Sequence, residues 1–98
     1  MSEYRLQIAS LAESDLQDAF LWYQERNGLI AAAFREEAFD VIERIGKAPL
    51  GMPADEEGNR RRVLRRFPYS VVYELVEDTV TILAVTHHRR RPNYWHKA

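Results

Sequence analysis

The chain has 98 residues, 46% of them apolar and 30% charged, with no cysteine. That is one domain of ordinary globular composition, and it excludes disulfides, thiolate zinc sites, iron–sulfur clusters and cysteine nucleophiles. The net charge of −1 hides a split: residues 1–58 carry 5 Lys and Arg against 12 Asp and Glu, and residues 59–98 carry 9 against 3. A polyanion or an acidic protein could use the second half, unless the two halves neutralise each other on one small surface.

In chain order, residues 4–9 alternate apolar and polar, which predicts a strand. Ser10 followed by Glu13 has the form of a capping box and predicts a helix start. Ala12, Leu16, Ala19, Phe20 and Tyr23 then recur at helical spacing, and Asn27-Gly28 predicts the stop. A second helix is predicted over 29–47, with Ile30, Phe34, Ala38, Val41, Ile42 and Ile45 on one face. So short a link predicts an antiparallel helical hairpin. Pro49, Gly51, Pro53 and Gly58 mark a loop over 48–59. Strands follow over 60–66, 69–76 and 79–87, the last two rich in β-branched residues and joined by a two-residue turn at Glu77-Asp78. The order β-α-α-β-β-β predicts an α+β fold, a helical hairpin on a small, mainly antiparallel sheet, in a single domain over 1–98.

A turn at 77–78 sets the register of the last two strands. Val76 then faces Thr79, Glu74 faces Thr81, Val72 faces Leu83 and Ser70 faces Val85. On the other face Leu75 meets Val80, Tyr73 meets Ile82, Val71 meets Ala84 and Tyr69 meets Thr86. Glu74 and Thr81 mark the first face as the open one, which puts His87 on the open face and His88 on the helix side.

The candidate functional residues lie in the basic half. Arg60-Arg61-Arg62 with Arg65-Arg66, and His87-His88-Arg89-Arg90-Arg91, would form a cationic surface if they converge. Edge protection and ion pairs to the acidic helices account for them equally well. Tyr94 and Trp95 follow, able to stack on bases or to pack the tail on the sheet, and packing is the simpler reading. Adjacent strand residues point oppositely, so His87 and His88 cannot easily share a metal ion, and no carboxylate stands nearby. A histidine could serve as a general base on a ribose hydroxyl, with arginine stabilising the phosphate charge. No glycine-rich phosphate loop, H-E-x-x-H or G-x-S-x-G occurs, and no cofactor is implied. No apolar run approaches the ~18 residues of a membrane span. Met1 to Arg5 lack a signal-peptide pattern, so a cytoplasmic location is expected.

The helix pair after one short strand, Arg62-Val-Leu-Arg65, Phe67-Pro-Tyr-Ser-Val-Val-Tyr73, Thr79-Val-Thr-Ile-Leu-Ala-Val85, His87-x-x-Arg90 and Pro92-x-Tyr-Trp95 occur in an order that resembles the RelE/ParE toxin superfamily. The resemblance covers nearly the whole chain. It implies a compact α+β toxin held inactive by a cognate antitoxin, in a module of the plasmid-stabilisation type. RelE-like members cut messenger RNA on the ribosome; ParE-like members poison DNA gyrase and are not nucleases. RelE-like enzymes commonly carry an arginine where this chain has Ser70, and a basic residue where it has Leu64. Arg62 and Arg90 match their cations. Tyr94 could correspond to their C-terminal tyrosine, although ungapped comparison puts His96 there. His87-x-x-Arg90 and the near-zero net charge resemble the ParE side.

The expectation is therefore a ParE-like toxin that binds DNA gyrase and is neutralised by an antitoxin whose acidic or amphipathic tail docks on the sheet and basic end, with homo- or hetero-oligomers possible. Arg62, Arg65, His87, Arg89, Arg90, Tyr94 and Trp95 are the candidates for binding target or antitoxin, and Tyr73 is assigned to the core. One alternative is a ribosome-dependent endoribonuclease using His87 or His88 as base, Arg62 and Arg90 on phosphate, and Tyr94 near the leaving group. Another is a non-toxic antitoxin-binding module.

Overall fold

A computed structural model describes residues 3–89 and Trp95. Strand β1 (Arg5–Ile8) leads into helices α1 (Ser10–Gln24) and α2 (Gly28–Lys47). A 3-10 turn at Pro49–Gly51 and a loop precede β2 (Asn59–Val63), β3 (Tyr69–Val76) and β4 (Thr79–His87). The sheet order is β1-β4-β3-β2, with β1 parallel to β4 and the other pairs antiparallel. Two helices cover one face of this four-stranded sheet, so the α+β architecture is as expected.

The helix boundaries have different causes from those the sequence suggested. Ser10 does not cap α1. The Ala9 N–H donates to the Ile82 carbonyl at 2.9 Å, which makes extended Ala9 the N-cap and draws Ser10 into the helix. Asn27-Gly28 starts α2 rather than closing α1 in a left-handed turn. Asn27 is extended, and its Oδ1 accepts from the Leu29 and Ile30 N–H groups. This satisfies two of the orphan donors at the helix start.

The core lies between the helices and the inner sheet face. Ala12 and Ala19 of α1 and Phe34, Ala38, Ile42 and Ile45 of α2 pack on Val71, Tyr73, Val80, Ile82 and Val85. Tyr73 is fully buried, and its hydroxyl donates to the Pro49 carbonyl at 2.7 Å, which ties the post-helix turn to the sheet. Tyr23, Phe34, Phe67 and Tyr69 form an aromatic cluster at the other end, edge-to-face except for the tilted Tyr23–Phe34 pair.

Strand β2 ends at Val63, short of the expected 66. Leu64 turns into the core, and the Glu37 carboxylate of α2 takes the Arg65 and Arg66 N–H groups just past the end of the strand. Burial pushes the Glu37 carboxyl up, but those two backbone donors and the Arg66 guanidinium outweigh it and hold it below the ordinary 4.5. A depressed carboxyl pKa stabilises the fold above its unfolded value and loses that contribution as pH falls through the folded value. Glu37→Gln should therefore lower stability by about 1.5 kcal/mol at neutral pH. The gap from the parent should narrow progressively in denaturant titrations repeated as pH falls below 4.5.

The two-residue hairpin turn falls at Glu77-Asp78 as predicted, and Glu77 adopts φ 56°. A side chain in that region costs about 1–2 kcal/mol. Glu77→Gly removes the strain at some entropic cost, so it should stabilise by up to about 1 kcal/mol, read as a higher denaturation midpoint with unchanged slope.

Candidate functional site

The predicted hairpin register holds from Val76–Thr79 to Tyr73–Ile82 and then breaks. Leu83 is skipped, Val72 pairs with Ala84, and Val71, Ser70 and Tyr69 pair with Val85, Thr86 and His87. One extra residue on one strand is a β-bulge, and it inverts side-chain parity beyond it. Val85 joins the core under the helices, while Leu83 and Ala84 both belong to the opposite face.

This corrects the histidine assignment. His87 lies on the helix side, its ring edge-on to Tyr69 at 5.1 Å. His88 lies on the open face, sharing a 3.1 Å hydrogen bond with the Ser70 hydroxyl. Nδ1 of His87 accepts from the Arg89 N–H at 3.0 Å, so the neutral ring carries its proton on Nε2. The two histidines thus serve separate environments.

On the helix side, Asp15, Asp18, Trp22, Tyr23, Tyr69 and His87 line a cleft of about 540 Å3. Asp15 is buried in α1, and its Oδ2 accepts from the Val85 N–H at 2.9 Å. Strand β1 ends opposite Ile82, so among the described residues no neighbouring strand is left to take that N–H. Burial raises the Tyr69 phenol, with smaller contributions from Tyr23 and the Asp15 carboxylate. Burial likewise raises that of Tyr23. Sequence reasoning missed Asp15, although the signal was there. It is a carboxylate within the apolar stripe of Ala12, Leu16, Ala19 and Tyr23.

The open face near the bulge is apolar. Val72, Ala84 and the buried Trp95 form a second cluster with Leu11 and Leu83. Trp95 thus packs on the sheet, with the Arg61 guanidinium 5.9 Å from its ring. Ser70 is 1% exposed and Leu64 is 3% exposed.

Among the described residues, the basic clusters do not converge. Strand β3 separates β2 from β4, and β2 alternates. Arg60 and Arg62 pair with Tyr73 and Val71, so they lie on the helix side, while Arg61 pairs with Val72 on the open face. Arg62 and Arg65 border a groove against Glu36, Glu37, Asp40 and Arg44 of α2. Burial raises the Tyr73 phenol, against the opposing charges of Arg60 and Arg62. Arg89 is exposed just past β4. Arg90 and Tyr94 lie outside the described residues. Among the described residues, no group of three or more His, Cys, Asp or Glu could hold a metal ion, and no helix is long and apolar enough to cross a membrane.

The sequence profile of the ParE toxin of type II toxin–antitoxin systems matches residues 6–92. The chain belongs to the ParE toxin family. It is 31% identical over 90 residues to Toxin ParE2 of two Mycobacterium tuberculosis strains, covering 91% of this chain and 86% of theirs. Its fold is similar to that of a chain from the chromosomal ParDE toxin–antitoxin system of P. aeruginosa, with a TM-score of 0.77 and 19% identity over 87% of this chain and 96% of that one. It is also similar to a chain of the RelBE2 toxin–antitoxin complex of Mycobacterium tuberculosis, with a TM-score of 0.55 and 27% identity over 89% and 93%. The expected superfamily and its ParE branch are therefore both correct for this chain, a toxin of the type II class.

Asp15→Ala in this ParE family member should destabilise it by about 2 kcal/mol, because the buried Val85 N–H loses its acceptor. Asp15→Asn retains an acceptor oxygen and should lose much less. Chemical denaturation gives the energies, and faster hydrogen exchange at Val85 in the alanine variant identifies the cause.

Proposed function

We propose that this chain is the toxin of a plasmid-stabilisation type of toxin–antitoxin module, that it acts by binding DNA gyrase rather than by cutting RNA, and that a cognate antitoxin neutralises it. The observation that carries the reading is the burial of Ser70 and Leu64. These are the two positions where ribonucleases of the superfamily were expected to carry cations. Ser70 hydrogen-bonds His88, and Leu64 fills the core. One transition-state contact is typically worth about 2.7–4 kcal/mol, so a nuclease lacking two would be severely weakened.

The position of β3 between β2 and β4 supports the same reading. A general base and its phosphate-binding cations must surround one scissile bond. Here β3 stands between the β2 arginines and the two histidines on both faces, with Arg61 and His88 on the open face and Arg60, Arg62 and His87 on the helix side. Binding to a protein target has no such requirement and can use both faces.

The test is a gyrase supercoiling assay with the purified chain, with and without the small protein encoded beside its gene. The reading predicts lost supercoiling, DNA ends covalently held by gyrase, and recovery on adding that protein. Codon-phased cleavage of messenger RNA on ribosomes would overturn it in favour of the endoribonuclease. Antitoxin binding with no effect on gyrase or ribosomes would overturn it in favour of a non-toxic interaction module.

A further inference from the structure

The cleft beside His87 is walled by aromatic rings and carboxylates. Asp15, Asp18 and Trp22 follow one another at three- and four-residue spacing on α1, so they stand in one line along the helix. Tyr69 of β3 and His87 of β4 line the cleft from the sheet, and Tyr23 adds a third aromatic ring. The space enclosed is about 540 Å3. Among the described residues, no lysine or arginine lines it. Helix α1 carries three acids, Glu13, Asp15 and Asp18, and no lysine or arginine.

The two carboxylates of the cleft differ in what they already do. Asp15 is buried and accepts from the Val85 N–H. Asp18 is exposed, and no side-chain partner reaches its carboxylate among the described residues. Trp22, one turn further along, is 50% exposed. Its ring already attracts one cation: the Arg26 guanidinium lies 3.6 Å from the ring centroid and donates to the Trp22 carbonyl at 2.7 Å. Arg26 itself does not line the cleft, and it pairs with Glu25 at 3.8 Å.

We propose that this cleft receives an arginine side chain of the toxin's protein target, with the guanidinium against the Trp22 ring and hydrogen-bonded to Asp18. The proposal rests on the toxin reading for the identity of the partner and deepens it by naming a contact. Residues four apart on a helix are neighbours, so one guanidinium can meet Asp18 and Trp22 together. It is planar, lies flat on an aromatic face and forks its N–H groups onto a carboxylate. Lysine offers a point charge without the flat face or the fork. A phosphate or an acidic segment would meet Asp15 and Asp18 at short range, where like charges repel. The raised Tyr69 phenol reports the same negative field, after the larger effect of burial. The acidic half of the chain, with 12 Asp and Glu against 5 Lys and Arg, steers a basic surface towards this end. Tryptophan and arginine are also the side chains on which protein interfaces most often depend.

The probe is a blocked five-residue peptide with a central arginine among alanines, compared with its lysine, citrulline and glutamate counterparts. Citrulline keeps the shape of arginine and removes the charge. NMR on the full chain would follow the Trp22 indole N–H and the His87 ring. The arginine peptide should shift both signals and bind about tenfold more tightly than the citrulline peptide, a difference of about 1.4 kcal/mol. The lysine peptide should fall between them. Asp18→Asn should erase the preference for charge, and Trp22→Ala should weaken arginine binding. Both residues are exposed, so either variant tests the proposal if the other fails to fold. Equal binding of the arginine and citrulline peptides, binding unaffected by Asp18→Asn, or no binding at all would overturn the proposal. Tighter binding of the glutamate peptide would give the cleft to an acidic partner instead. Binding that emerges only in an Arg90→Gln or Arg91→Gln variant would assign the cleft to this chain's own arginines and also overturn the proposal. The peptide readout does not involve gyrase. Peptide binding by a chain that leaves gyrase unaffected keeps the arginine site while the toxin reading fails. Gyrase inhibition undiminished by Asp18→Asn and Trp22→Ala keeps the toxin reading while this proposal fails.

Discussion

The carboxylate of Asp15 on the Val85 N–H holds the arrangement on which the functional end of the molecule depends. Strand β1 stops opposite Ile82, and β4 continues for five more residues without a neighbouring strand on that side among the described residues. A backbone donor left there under a helix must find an acceptor. Asp15 supplies one from α1 and so fixes the helix against the strand just after the bulge. The bulge turns Val85 into the core and leaves Ala84 beneath Trp95. With the unbroken register, Ala84 and Thr86 would face the helices. Burying a valine side chain there instead contributes about 1.5–3 kcal/mol relative to leaving it exposed.

This inversion of parity exchanges the faces of the two histidines. The sequence places two histidines and many arginines within a short span, which invites a ribonuclease reading. The fold distributes the described ones over two faces and an edge. His87 enters an aromatic cleft with Asp15 and Tyr69, while His88 is tied to Ser70 beside an apolar patch. Arg66 is occupied by Glu37, and Arg62 stands in a groove at the sheet edge. Separate patches of different chemistry suit a protein that must be held by one macromolecule and act on another.

Much of the fold was legible because its elements obey simple periodicities. The two long strands match their predicted limits because β-branched runs end at clear turn residues. The inner face of α2 was readable from Phe34 to Ile45. What was not legible depended on contacts distant in sequence. The Ala9–Ile82 bond displaced the cap from Ser10, Asn27 served the following helix, and Glu37 shortened β2. The bulge left no mark in the alternation of β4, because Leu83, Ala84 and Val85 are all apolar and tolerate either face. Family membership was legible from ordered motifs, whereas the faces presented by His87 and His88 required the register.

The most direct measurement is a nuclear Overhauser spectrum of the full chain, read at the two histidine rings. The bulged register predicts cross-peaks from the His87 ring to the Tyr69 ring, and from the His88 ring to the Ser70 β-protons, with neither pattern exchanged. Cross-peaks from His87 to Ser70 and from His88 to Tyr69 would mean an unbroken hairpin. They would return His87 to the open face and put His88 on the helix side, beside Tyr69 and the side chains of Arg60 and Arg62.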